Sequence, residues 1–374
     1  KAMASYEEIL KRLEAEGNLR TIPAVTDREI IDFSTNDYMG LATRVDLREK
    51  FFSNEANRLL PMSSSASRLL ASCQNEHNRL EQLLEELYGR PALLFNSGYH
   101  ANTGIIPALA EGNTLIVADK LSHASIIDGM VLSRTKFTRF PHNDYDRLEH
   151  ILGEAEDRYE RILIVTESVF SMDGDFSDIE RLAEIKRRHK NAMLYIDEAH
   201  AFGVTGKYGL GLSRDSAAFP DIDVVIGTFG KAAASAGAFA SVTPTVKSYL
   251  INKARSFIFS TALPPMTSAW TRFMVKTLTG MEQERAHIAR LSGLLNEALH
   301  ITDRAPSHIA PFITGDARRA IDLSKKLLAL GYKALPIRTP TVPAGTERLR
   351  FSLSASMTAN DITGLGNAIT TLTT

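Results

Sequence analysis

The chain has 374 residues, more than one hydrophobic core comfortably serves, so two domains or one large domain with an appendage are expected. Lysine and arginine total 43 against 44 aspartate and glutamate, a formal charge of -1, which excludes a broad field drawing the chain to nucleic acid or membrane and makes any anion site local. The single cysteine, Cys73, excludes an intrachain disulfide framework and any multi-thiolate metal centre, so no metal is expected.

The opening residues 1–4 read as an edge rather than as part of the fold. No apolar run reaches the ~18 residues of a membrane helix, and the beginning lacks a basic-then-apolar layout, so a cytoplasmic protein is expected. Residues 5–19 read as a short charged helix with Ile9, Leu10 and Leu13 on one face, and 30–34 as a first strand. From residue 93 onward, apolar runs at 93–96, 114–118, 161–166, 193–197, 224–228 and 238–242 alternate with helix-period stretches such as 178–189, where Asp178 can cap. This rhythm predicts an α/β fold with a mostly parallel central sheet flanked by helices. After Pro264 and Pro265 a long helix is expected over 266–299, then strands at 309–314, 334–337 and 348–353 separated by helices, a smaller α+β domain. The expected division is an arm over 1–41, a large domain over 42–275 and a small domain over 276–374.

In an open parallel sheet, ligands gather beyond the carboxyl ends of the strands. Lys231 follows an apolar strand there, and a lysine at a buried tip has a lowered pKa that suits it to Schiff-base chemistry; a surface lysine beside a turn is the competing reading. A phosphate loop is set aside, because only two residues separate Gly227 from Gly230-Lys231 and Ala232 follows. Asp197-Glu198-Ala199-His200 spells a helicase box, which fails without that loop. An aspartate at a strand end can instead keep a pyridine nitrogen protonated while His200 reaches the ring's phenolic oxygen; a plain helix cap is the alternative. His123, at a helix start, could lie flat on a planar cofactor or simply cap. Ser97-Gly98-Tyr99 precedes a helix whose free amides and dipole would attract phosphate, though a glycine turn explains it equally. Arg350, on an alternating strand, could grip a carboxylate or face solvent.

Together these segments resemble the α-oxoamine synthase family of fold-type I pyridoxal-phosphate enzymes, over nearly the whole chain from Phe33 to Arg350. The densest stretches are 118–125, 139–144 (RFPHND), 165–175 (VTESVFSMDGD), 196–211 and 228–231, and 338–350 (RTPTVPAGTERLR) is similar to the biotin-pathway branch. The resemblance implies that Lys231 bonds to the cofactor and later removes the α-proton, that Asp197 pairs with the ring nitrogen and His200 with the ring oxygen, that His123 stacks on the ring and that Ser171 lies beside it. It further implies that Ser97, Gly98, Tyr99 and Thr228 cradle the phosphate, with Ser260 and Thr261 reaching it from the second subunit of a homodimer. Asn36 and Arg350 would bind the amino-acid carboxylate and Arg20 the far carboxylate of the acyl chain. The implied reaction joins L-alanine to a pimeloyl thioester, on coenzyme A or acyl carrier protein, with loss of CO2.

Two stretches depart from the family pattern. A serine-rich run stands at 63–72 where the family has a glycine-rich turn, and small residues fill 232–236 after the lysine, so the acyl donor is less firmly implied than the chemistry. A glycine- or serine-using sister enzyme is the nearest rival. A silent binding protein would need none of Lys231, Asp197, His200 and His123, and Gly203, Gly206, Gly209 and Gly211 lack dinucleotide-fingerprint spacing.

Overall fold

The computed structural model describes residues 5–23 and 29–374; residues 1–4, read above as an edge, lie outside the described residues. The chain divides into two compact units. The larger comprises residues 37–171 and 176–285, and the other residues 1–36, 172–175 and 286–374. The arm expected over 1–41 therefore does not stand by itself. Its strand Ile31–Asp32 pairs in parallel with Tyr332–Lys333, and Phe33, fully buried, packs edge-on to Phe351 at 5.9 Å, which makes this stretch part of the smaller unit's core, while residues 37–41 belong to the larger unit.

The larger unit is built on a seven-stranded sheet in the order Ala92–Phe95, Ala238–Val242, Val224–Thr228, Ala192–Asp197, Arg161–Glu167, Thr114–Asp119 and Lys136–Phe140. Only Ala238–Val242 runs against its neighbours, so the other strands deliver their carboxyl ends to one edge. The central strands are buried along nearly their whole length, as unbroken apolar runs under helices on both faces require. Lys136–Phe140 was absent from the sequence expectation because it is an edge strand: Lys136, Phe137 and Arg139 are exposed and no apolar run marks it. Asp178 caps Ile179–Arg188 by accepting from the Arg181 amide, as its position predicts.

The expected helix over 266–299 is two helices, Pro265–Thr279 and Glu282–Ala298. The break falls at Gly280, the capping residue of the first helix and a poor helix former. In the smaller unit Arg348–Ser352 is the middle strand of an antiparallel three-stranded sheet between Leu335–Ile337 and Ile309–Ile313. Helices Ala317–Ala329 and Ala359–Thr373 contribute Leu323, Leu327, Ile362 and Leu365 to a core shared with Leu349 and Phe351. Among the described residues no helix is long and apolar enough to cross a membrane.

The strand that leads to Lys231 is held by close packing at Gly227. A Cβ there would lie 2.2 Å from Phe239 Cε1 on the adjacent antiparallel strand, and Phe239 is itself locked against Phe202, Phe229 and Tyr88. Gly227→Ala is expected to destabilise the fold by about 1–3 kcal/mol through overpacking. Gly153→Ala, in the helix Tyr145–Ala155 with open space around it, should instead gain up to about 1 kcal/mol of helix propensity. Urea unfolding of the two variants beside the parent chain checks the opposite signs, and equal shifts would contradict the packing argument.

Candidate active site

Strand ends bring the candidate residues of the larger unit together. Lys231 lies just past Val224–Thr228, and His200 just past Ala192–Asp197; Lys231 Nζ and His200 Nε2 are 2.8 Å apart. The other ring nitrogen of His200, Nδ1, is 2.6 Å from the Tyr38 hydroxyl, so His200 bridges an amine and a phenol and can pass a proton between them. Tyr38 is fully buried, which fixes the imidazole from behind.

Asp197 closes its strand and is 4 % exposed. Its Oδ1 accepts from the Ala199 amide at 2.9 Å and its Oδ2 from the Asn102 amide at 2.8 Å. Among the described residues it makes no ion pair. A buried carboxylate with neutral donors alone costs several kcal/mol in desolvation, and a cationic N–H placed against it relieves that cost. Directly across on the neighbouring strand, in register with Asp197, stands Glu167, also buried. Burial, and then the Asp197 charge, push the Glu167 carboxyl well above the usual range, while the His123 amide that donates to it pulls the other way. Of the two acids, Glu167 is the one that burial and its neighbour make slow to ionise.

His123 caps the helix Ala124–Ser133, its Nδ1 receiving the Ser125 amide at 3.2 Å. Burial lowers its pKa and the Lys231 charge adds to this, against opposing pulls from Asp197 and Asp128. Ser97 caps Gly98–Leu109 by accepting from the His100 amide at 3.1 Å, leaving the first turn's other amides to meet an anion. Gly98 sits close to Thr228, where an added Cβ would lie 3.9 Å from the threonine Cβ. The Tyr99 hydroxyl donates to Asp128, so it is the backbone of Tyr99 that suits phosphate. Ser171 is buried in the loop after Arg161–Glu167.

Ser260 and Thr261 lie apart from these groups in the contacts they make. The Thr261 carbonyl accepts from Asn96 at 2.7 Å, the Ala262 amide donates to Ala66, and the Leu263 carbonyl accepts from Ser64 and His77. The serine-rich run and His77 thus hold this segment. In the smaller unit Arg350 is 3 % exposed and donates to Ser352 Oγ at 2.6 Å and to Asn36 Oδ1 at 3.1 Å, while the exposed Arg20 donates to Thr341 at 3.1 Å. Arg338 lies near enough to Arg20 for its charge to be disfavoured by it, after burial.

The sequence reading missed Tyr38, Asn102, Ser125 and Glu167. Asn102 had a signal available, since it follows Gly98 by one helical turn and so shares its face. Glu198, the second letter of the box read above, proves to be internal: it accepts from the Leu212 and Ser213 amides and the Ser213 hydroxyl, and Gly211 leaves room for it.

The residues present fit a phosphorylated pyridine aldehyde: a lysine amine beside an imidazole, a buried anion lacking a cation, and a capped helix start. Comparison with known proteins agrees with that chemistry. The sequence profile of the aminotransferase class I and II family matches residues 28–369. A Haemophilus ducreyi protein named 8-amino-7-oxononanoate synthase is 45% identical over 383 residues, covering 97% of this chain and 99% of its own. A serine palmitoyltransferase of S. paucimobilis, with bound PLP and myriocin, superposes with a TM-score of 0.85 at 29% identity over 91% of this chain and 87% of that one. The 8-amino-7-oxononanoate synthase of Francisella tularensis gives 0.75 at 30% identity, over 92% and 98%.

The buried His77, fully enclosed with Nε2 at 2.6 Å from the Leu263 carbonyl, makes the segment around Ser260 sensitive to acid. Burial holds its pKa below the ordinary value, the Leu263 carbonyl partly opposing. Below about pH 6.5 the unfolded chain therefore binds a proton that the folded chain does not, and stability falls as pH falls. Glu167, with a raised pKa, acts with the opposite sign but is common to parent and variant. The loss of unfolding midpoint from about pH 7 to about pH 5 should be smaller in His77→Gln than in the parent, by denaturant titration at each pH. An equal loss would contradict the assignment.

Proposed function

Because the chain belongs to the aminotransferase class I and II family, we propose that it is a pyridoxal-phosphate-dependent acyltransferase that joins L-alanine to a pimeloyl thioester, giving 8-amino-7-oxononanoate, CO2 and a free thiol. The observation that carries the reading is Asp197, a buried anion without a cation, on the same sheet edge as the Lys231–His200 pair. The full-length similarity to a protein bearing that name supports the choice of substrates.

When bound, the cofactor supplies an aldehyde that an amine can join and a protonated ring that withdraws electrons from the amino acid's α-carbon. Asp197 would hold the ring nitrogen, His200 the ring oxygen, and His123 and Ser171 the ring itself. His200 also steadies the Lys231 amine through Nε2. The amides of the turn Ser97, Gly98 and Tyr99, with the Thr228 hydroxyl, hold the phosphate, joined by Ser260 and Thr261 of the second subunit in a homodimer. Arg350, held by Asn36, would take the amino acid's carboxylate and so fix which α-bond is presented for cleavage. Lys231 Nζ would remove the α-proton. The α-carbon then forms a bond to the thioester carbonyl as the C–S bond breaks and the thiolate leaves to take a proton; the original carboxyl group departs as CO2 and a proton returns to the α-carbon. Arg20 meets the acyl donor's far carboxylate.

A sister reaction using serine or glycine is the second reading, favoured by the close superposition on a serine palmitoyltransferase. Thiol release measured for alanine, glycine and serine, each crossed with acyl-CoA donors of several chain lengths and with pimeloyl-CoA, separates them. Alanine with the pimeloyl donor should be the best pair, and Lys231→Ala should lose at least about a thousandfold in rate. Preference for serine or glycine would support the sister reaction, and full activity in Lys231→Ala would overturn both.

A further inference from the structure

Behind the two cofactor-facing side chains, Asp197 and His123, runs one directed chain of buried hydrogen bonds. Tyr195, fully enclosed, donates its hydroxyl to Asn102 Oδ1 at 2.5 Å. Asn102 is 1 % exposed, and its amide nitrogen lies 2.8 Å from Asp197 Oδ2 and 2.9 Å from Ser125 Oγ. The opposite orientation of the amide would set its oxygen against the Asp197 carboxylate, acceptor against acceptor, so the direction of the chain is fixed. With its oxygen receiving from Asn102, the Ser125 hydroxyl is left to donate, and His123 Nδ1 is 2.8 Å away. The Ser125 backbone N–H points at the same nitrogen. A nitrogen that receives two donors carries no proton, which leaves the imidazole proton on Nε2.

We infer that Asn102 is a positioning residue that serves both groups at once, orienting the Asp197 carboxylate as an acceptor and, through Ser125, holding His123 in the tautomer protonated at Nε2. This rests on the reading that Asp197 and His123 face the cofactor. The chemical value is that a neutral imidazole can lie on a protonated pyridine ring, whereas a cationic one would repel it and weaken the ring's hold on its own proton. The surroundings agree. The groups that face His123 are Asp197 and Asp128, which favour its cation, Lys231, which disfavours it, and Glu167, which receives its backbone N–H. Those that face Asp197 are Glu167, Tyr195 and His123, and burial makes Glu167 slow to ionise.

The test uses the purified holoenzyme labelled with 15N-histidine, the His123 signals being identified by their loss in His123→Asn. At neutral pH the parent should show Nδ1 unprotonated and Nε2 protonated. Asn102→Ala should give mixed His123 tautomers, move the pH at which the cofactor's visible band titrates, and weaken cofactor retention about tenfold. Ser125→Ala cuts only the limb to His123, so it should disturb the His123 signals as much while moving the titration of the band less. Should Asn102→Ala fold poorly, Ser125→Ala and Tyr195→Phe still decide the matter, Tyr195→Phe being expected to shift both readouts in the same direction as Asn102→Ala by a smaller amount. A parent His123 protonated at Nδ1, or a band titration that ignores these substitutions, would overturn the inference. A parent protein that shows no visible band would instead strike at the functional reading, while the histidine signals of the same sample would still report on the tautomer.

Discussion

A carboxylate buried without a cation is the constraint around which the larger unit is arranged. Asp197 ends a strand whose neighbours on both sides are also parallel, so no solvent reaches it from the sheet, and its donors are an amide side chain and a backbone N–H. Each such bond to a charged acceptor returns about 1.5–3 kcal/mol, which softens the desolvation cost without cancelling a full charge. In the proposed function, a ligand that brings a cationic ring nitrogen would supply what these donors leave unmet. Nearby Glu167 has its pKa raised by burial and then by the Asp197 charge.

The sheet topology explains how residues far apart in the chain serve that charge. Strands at 92–95, 114–119, 161–167, 192–197 and 224–228 all end on one edge, and each is followed by a residue of the proposed site: Ser97, His123, Ser171, His200 and Lys231. Rigid, fully buried strands such as Val224–Thr228, packed without slack at Gly227, hold these tips still. The smaller unit supplies a different kind of group. Arg350 on the middle strand Arg348–Ser352 is buried and donates to the side chains of Ser352 and Asn36.

Much of this was legible in the residues. Apolar runs gave the strands because a two-sided parallel sheet leaves no polar alternation to confuse with a loop, and the runs at 224–228 and 238–242 end where the observed strands end. Lys231, Asp197 and His200 were picked out as polar residues at strand ends, and the roles proposed for them come from the family resemblance. What was not legible depended on packing. The edge strand Lys136–Phe140 carries charged residues because one side of it meets solvent, and a propensity reading cannot tell that from a loop. The arm's place in the smaller unit rests on two paired residues, Ile31 and Asp32, and on Phe33 meeting Phe351, contacts separated by some three hundred positions in the chain. Asn102 and Ser125 are ordinary helix residues until their burial beside Asp197 and His123 is seen.

The most direct measurement of the central claim is where the cofactor becomes attached. Reduction of the purified, cofactor-loaded protein with borohydride, followed by digestion and peptide mass mapping, should locate one added pyridoxyl group on the nitrogen of Lys231, in the segment that follows Val224–Thr228. Attachment at another lysine, or a protein that takes up no such group at all, would contradict the account.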